Sequence, residues 1–151
     1  MAHGEMTSEK QEPGSASSAE AYAHLRADER AGLVDVRTSA EWTFVGVPDL
    51  SGIGRKVFFA EWQGFPSMTV DPKFAETLAR RLADAGVEPD APLYFLCRSG
   101  ARSLSAARAM TAAGYTRCIN VSDGFEGGMD EARHRSRVNG WKAAGLPWVQ
   151  S

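Results

Sequence analysis

The chain has 151 residues, 43% of them hydrophobic, and a formal net charge of −2 at pH 7. That is the size and composition of one globular domain, and the charge excludes a global pull toward nucleic acid or an anionic membrane. Two cysteines exclude a disulfide scaffold, and no apolar run approaches the ~18 residues of a membrane span.

From the N-terminus, Met1 to Ser18 is rich in Gly, Ser, Glu, Pro and Lys and nearly free of large apolar residues. Such a stretch buries too little surface to offset its ordering entropy. Residues 1–17 are therefore read as a disordered tail and 18–151 as a single domain. The tail lacks the apolar core of a secretory signal, so a cytoplasmic protein is expected. His3, His24 and His134 are scattered, and neither cysteine has a Cys or His at ligand spacing. No metal and no cofactor are implied.

Ser18 is placed to cap a short helix over Ala19–Leu25, ended by Gly32. Leu33–Val36, a short run with β-branched residues and one acid, reads as a strand. Thr38 or Ser39 caps a brief turn carrying Glu41 and Trp42. Gly46, Pro48, Gly52 and Gly54 make a loop, Val57–Ala60 a second strand, and Trp62 to Pro66 an aromatic loop. Asp71-Pro72 signals a helix start, with Asp as N-cap and Pro at the first position. Phe74, Leu78, Leu82 and Ala85 stripe the ensuing helix, and Gly86 stops it.

Leu93–Leu96 is a strand that runs straight into Cys97-Arg98-Ser99-Gly100-Ala101-Arg102-Ser103. An alanine-rich helix comes next, with Leu104, Ala107 and Met110 expected to be buried. Cys118–Val121 is a further strand. Gly124, Gly127 and Gly128 form a turn after it, and Glu131–Val138 reads as an exposed, partly helical insertion. Strands and helices alternate, which argues for parallel βαβ units with helices on both faces of a buried sheet. Four strands are legible, and a fifth, short edge strand near the N-terminus is weakly signalled.

In such sheets ligands bind beyond the carboxyl ends of the strands, where Cys97 lies. A loop feeding a helix N-terminus gathers unpaired backbone N–H groups, which suit an anion, so a negative sulfur is favoured there. A cysteine at a strand end is often only a small apolar residue. The Arg- and Gly-rich loop argues against that for Cys97, whereas Cys118, opening an apolar strand, fits it. No histidine lies near Cys97 in sequence, so the chemistry must need little proton shuffling. Attack of a thiolate on an already polarised sulfur, leaving a persulfide cradled by N–H groups, meets that requirement.

Cys97–Ser103 resembles the active-site loop of single-domain rhodaneses, which are sulfurtransferases. Leu33–Arg37 followed by Glu41-Trp42 resembles the N-terminal signature of that family. Gly127-Gly128, with Trp141 and Gly145-Leu146-Pro147 later, resembles the C-terminal one. The resemblance implies a rhodanese-like α/β fold, with a mainly parallel sheet of about five strands flanked by helices. It also implies sulfur transfer from a small-molecule donor such as thiosulfate to cyanide, a thiol or an acceptor protein. Cys97 would carry the sulfur. Backbone N–H groups from Arg98, Ser99, Gly100, Ala101, Arg102 and Ser103 would hold it. Arg98 and Arg102 would attract the donor, and Ser103 would add a hydroxyl while capping the helix.

Asp35, Arg37 and Glu41 belong to the structural motif in this family, and Arg37 and Glu41 are spaced as a pair on one helical turn. Trp62 and Phe65 are the candidate pocket rim. Gly46–Leu50 stands where many members carry Gly-His-Ile-Pro-Gly, and the missing histidine puts local packing in question. Arg133, His134, Arg135 and Arg137 are either a solvated face or a lining for the pocket mouth.

Two further readings are a non-catalytic binding module of the same fold and a Cys-based phosphatase or arsenate reductase. The related phosphatases place an arginine six positions after the cysteine, often with a histidine before it. Here Arg102 comes five positions after Cys97 and Leu96 precedes it. The tighter cradle suits a single sulfur.

Overall fold

The computed structural model describes residues 12–150. Its central sheet has five parallel strands: β1 (Gly14–Ala16), β2 (Gly32–Asp35), β4 (Phe58–Phe59), β7 (Leu93–Leu96) and β8 (Cys118–Val121). They lie in the order β1-β8-β7-β2-β4. All four residues of β7 are buried, as expected for a strand covered on both faces. Alternation along it divides the core. Leu93, Phe95 and Cys97 join one apolar cluster, and Tyr94 and Leu96 the other.

Helices cover both faces. On the first face lie α3 (Phe74–Asp84), through Phe74, Leu78 and Leu82, and α4 (Ala101–Ala112), through Ala106, Ala107 and Met110. On the second lies α1 (Ser18–Ala27), through Ala21 and Leu25, together with Phe125 and Trp141. The short α2 (Ser39–Phe44) comes after β2. Two antiparallel pairs complete the chain: β3 (Val47–Pro48) with β9 (Trp148–Val149), and β5 (Gln63–Gly64) with β6 (Thr69–Val70). Among the described residues no helix is long and apolar enough to cross a membrane.

Several expectations are corrected. Within the tail read over residues 1–17, Gly14–Ala16 form a strand. Gly14, Ser15 and Ala16 pair in parallel with Ile119, Asn120 and Val121. This strand is an edge held by backbone hydrogen bonds, so it needs no apolar pattern. Residues 1–11 lie outside the described part. Ser17, not Ser18, caps α1, in a reciprocal box with Glu20. Ser18 instead donates its N–H and hydroxyl to Asp123 Oδ1, each at 2.8 Å.

Helix α3 starts two residues later than Asp71-Pro72 suggests. The Asp71 carboxylate accepts from the Lys73 N–H at 2.9 Å, making a turn before the helix rather than its cap. Leu104 is only half-buried, because the inner face of α4 is formed by Ser103, Ala106, Ala107 and Met110. Glu131–Val138 contains no helical turn. It is pinned as a loop, with the Ser136 N–H on Glu126 O at 2.7 Å and the Asp130 N–H on His134 O at 2.9 Å.

Candidate active site

Cys97 is the first residue beyond β7, and two glycines shape the loop it opens. Gly100 has φ of 113°, and a Cβ there would lie 2.4 Å from Ser122 O. Gly124, at φ 71°, faces Arg98 O so closely that a Cβ would lie 2.3 Å away. The Cys97 loop is thus nested on the turn after β8. The loop carbonyls bond to that turn: Phe125 N–H donates to Cys97 O at 2.8 Å, and the Glu126 and Gly127 N–H groups donate to Arg98 O, each at 3.1 Å.

With the Cys97 and Arg98 carbonyls committed to that turn, one loop amide meets the sulfur. The Gly100 N–H donates to Cys97 Sγ at 3.1 Å. Helix α4 first bonds back on itself at Leu104 N–H to Gly100 O, at 3.2 Å. The N–H groups of Ala101, Arg102 and Ser103 therefore have no intrahelical acceptor. Ser103 is buried, and its hydroxyl lies 3.2 Å from Cys97 Sγ. It is not the cap. That position belongs to Gly100, whose conformation turns the chain into the helix without a side-chain bond.

Cys97 is 1% exposed and forms the floor of a cavity of about 730 Å³. Of the loop residues singled out in the sequence, Arg98, Ser99, Ala101 and Arg102 line it, while Gly100 and Ser103 do not. Phe65 lines it as well, but Trp62 does not. Trp62 is tied to the sheet by its N–H on Val36 O at 3.1 Å, and its ring packs edge-on against Phe74 at 5.1 Å in the core. Phe44 and Met68 complete an apolar collar with Phe65. From the insertion only Arg135 reaches the cavity, donating to Gly127 O at 2.6 Å.

The two motif carboxylates separate into two jobs. Arg37 does not pair with Glu41, because Arg37 precedes the N-cap Thr38 and lies outside the helical turn. Its guanidinium is fully buried and grips Asp35, with Nη2 at 2.7 Å from Oδ2 and Nε at 3.0 Å from Oδ1. Arg37 Nη2 also donates to Gly46 O at 2.9 Å. This locks the segment where the family histidine is absent, and β3 then pairs with β9.

Glu41 instead takes Arg102, 61 residues away, in a bidentate pair at 2.7 and 2.9 Å. Burial works to raise the Glu41 carboxyl, but the Arg102 guanidinium and the Thr38 N–H and hydroxyl outweigh it and hold it at about 2. Arg102 is correspondingly raised, first by its bond to Glu41 and further by Cys97 nearby. The pair braces α2 against α4 across the cavity.

Asn120 has no place in the sequence reading, although a buried amide in the otherwise apolar β8 was its available signal. Its side chain donates to Gly100 O at 3.1 Å and accepts from the Ser103 hydroxyl at 2.5 Å.

A five-stranded parallel sheet with this thiol-bearing loop at a strand's carboxyl end defines a rhodanese-like domain. The chain belongs to the family of the STR4 middle domain, which it matches over residues 13–151. It is similar to the M. tuberculosis protein Rv0390, whose crystal structure superposes with a TM-score of 0.81 at 45% identity, covering 93% of this chain and 99% of that one. Protein RC0915 of Rickettsia conorii is 40% identical over 131 residues, 87% of this chain and 93% of its own length. The chloroplastic rhodanese-like domain-containing protein 4 of Arabidopsis thaliana is 27% identical over 91% of this chain, which spans 26% of that longer protein.

Proposed function

We propose that the chain is a sulfurtransferase that carries sulfane sulfur on Cys97 as a persulfide. The observation that carries this is the seating of Cys97 Sγ. It lies on a cavity floor, 3.1 Å from the Gly100 N and 3.2 Å from the Ser103 hydroxyl, at the start of α4. No histidine lines the described cavity, so the site favours a reaction that moves an anionic sulfur without a general base.

With thiosulfate as donor, the Cys97 thiolate attacks the outer sulfur. The S–S bond of the donor breaks, sulfite leaves with the electron pair, and Cys97 carries S–S⁻. Cyanide then takes the terminal sulfur as thiocyanate and restores the thiolate. A small thiol or a cysteine on an acceptor protein would take it as its own persulfide. Such a cycle needs no cofactor and suits a reducing compartment such as the cytoplasm. Both terminal nitrogens of Arg102 are engaged by Glu41, which weakens the phosphatase reading and leaves Arg98, rather than the expected pair of Arg98 and Arg102, to attract an anionic donor.

Mass spectrometry after incubation with thiosulfate tests the proposal. The protein gains the mass of one sulfur atom and loses it on addition of cyanide, and Cys97→Ala gains none. Undiminished sulfur transfer by Cys97→Ala would overturn it.

A further inference from the structure

The Ser103 hydroxyl has one proton and three acceptors within reach: Cys97 Sγ at 3.2 Å, Gly100 O at 3.2 Å and Asn120 Oδ1 at 2.5 Å. The orientation of Asn120 is dictated by chemistry. Gly100 O only accepts, so the Asn120 amide nitrogen faces it at 3.1 Å and the amide oxygen faces Ser103. An amide oxygen cannot donate, so that shortest contact requires the Ser103 proton. While Cys97 is a thiol, its S–H can donate to Ser103 Oγ, and the Ser103 proton rests on Asn120. When Cys97 loses its proton to water in the cavity, the sulfur becomes an acceptor and the same hydroxyl proton is wanted there.

We propose that Asn120 is a positioning residue that sets the thiolate content of Cys97, by competing with the sulfur for the Ser103 hydroxyl proton while holding Gly100 in place. It rests on the reading of Cys97 as the sulfur carrier, and it names the element outside the loop that tunes that carrier. Asn120 sits on β8, the strand beside β7, so neighbouring strands supply the nucleophile and its regulator. The charged groups around the sulfur stay the same when Ser103 or Asn120 is replaced. They are Arg102 with its partner Glu41, Asp35 acting on Arg102, and Arg98, Glu126 and Arg135 lining the cavity.

The test is the pH dependence of Cys97 alkylation by iodoacetamide, read by peptide mass spectrometry so that Cys118 is not counted. Ser103→Ala removes a donor and moves the midpoint up by about one pH unit, on the scale of one hydrogen bond to a charged group. Asn120→Ala frees the Ser103 proton for the sulfur and moves the midpoint down by a similar amount. In the Ser103→Ala background, Asn120→Ala produces no downward shift. If Asn120→Ala melts too low to assay, Asn120→Ser is used, with the same downward direction expected.

An unmoved or raised midpoint in the single Asn120 variant overturns the proposal, since a purely structural residue would lower the melting temperature alone. A downward shift of equal size with and without Ser103 overturns it too. Alkylation needs no sulfur donor. If the protein takes up no sulfur while these midpoints move as expected, the sulfurtransferase reading fails and the Asn120 assignment stands.

Discussion

The two cysteines differ little in burial, Cys97 being 1% and Cys118 4% exposed, and both sit in the same apolar cluster. They lie at opposite ends of neighbouring parallel strands. Cys118 is in register with Leu93, so Cys97 stands four residues farther along, about 13 Å at the rise of an extended chain. At the amino end Cys118 donates to the Tyr115 carbonyl at 3.6 Å, and burial raises its thiol against an opposing hydrogen bond with Thr111. At the carboxyl end Cys97 meets a backbone N–H, a hydroxyl and the start of a helix. Burial therefore does not distinguish the two thiols. The end of the strand does, because parallel sheets gather helix N-termini at one edge only. The separation also removes Cys118 as a resolving partner for a Cys97 persulfide.

That contrast is sharpest to break at Gly100, where the largest effect is expected. Gly100→Ala puts a Cβ 2.4 Å from a backbone carbonyl at a φ of 113°. The strain, about 2 kcal/mol, lowers the melting temperature. The displaced N–H no longer meets Cys97, and sulfur uptake falls on the order of 100-fold, the scale of losing one preorganised donor. Uptake within threefold of wild type would show that Cys97 does not depend on this amide.

Glu41→Gln loosens the brace at the same end. The Glu41 carboxyl is held at about 2 in the folded protein against 4.5 ordinarily, so its contribution is fully present above pH 4.5 and is lost as pH falls toward 2. Wild type is expected to exceed the variant by about 2 kcal/mol at neutral pH, with the two stabilities converging near pH 2. Urea unfolding across that range checks it. A constant difference at every pH would show that the pair adds no pH-dependent stability.

Legibility in the sequence obeys the same divide between local pattern and long-range contact. The all-apolar β7, the Phe74, Leu78 and Leu82 stripe of α3 and the Cys97 loop are written in local pattern and appear where it puts them, while Ala85, expected on the same stripe, is the exposed C-cap. β1 is the short fifth edge strand expected near the N-terminus, but its residues are not legible as a strand, because Gly14, Ser15 and Ala16 carry no apolar alternation and only Ala16 is buried. The Arg37–Glu41 spacing misleads because helical spacing counts only within a helix, and Thr38 caps α2 after Arg37. The true partner of Glu41, Arg102, arrives from another element, as does Asn120 beside Ser103. Trp62 and Phe65 are neighbours in the aromatic loop, yet only Phe65 lines the cavity.

The apolar collar gives a smaller expected effect at the same end. Thiosulfate is far smaller than a cavity of about 730 Å³ and has no apolar body to offer Phe44, Phe65 and Met68. Toluenethiosulfonate delivers the same outer sulfur with an aromatic ring attached. Phe65→Ala is expected to lower kcat/KM for the aromatic donor about fivefold, the worth of roughly 40 Å² of apolar contact. Its kcat/KM for thiosulfate stays within about twofold. Equal losses for both donors would show that Phe65 shapes the loop rather than contacting a substrate.

The smallest effect belongs to Cys118→Ala. Removing one sulfur atom from a packed site costs about 1 kcal/mol, through lost contacts and a small void. Sulfur uptake is expected to stay unchanged, because the void opens behind Leu93 and Tyr115, some four residues along the strand from the Cys97 thiol. Mass spectrometry should still find one added sulfur, on the peptide containing Cys97. A tenfold slower uptake, or a wild-type protein that stores a second sulfur on Cys118, would mean that the amino end of the sheet takes part in the chemistry, and the distinction between the two thiols would fall.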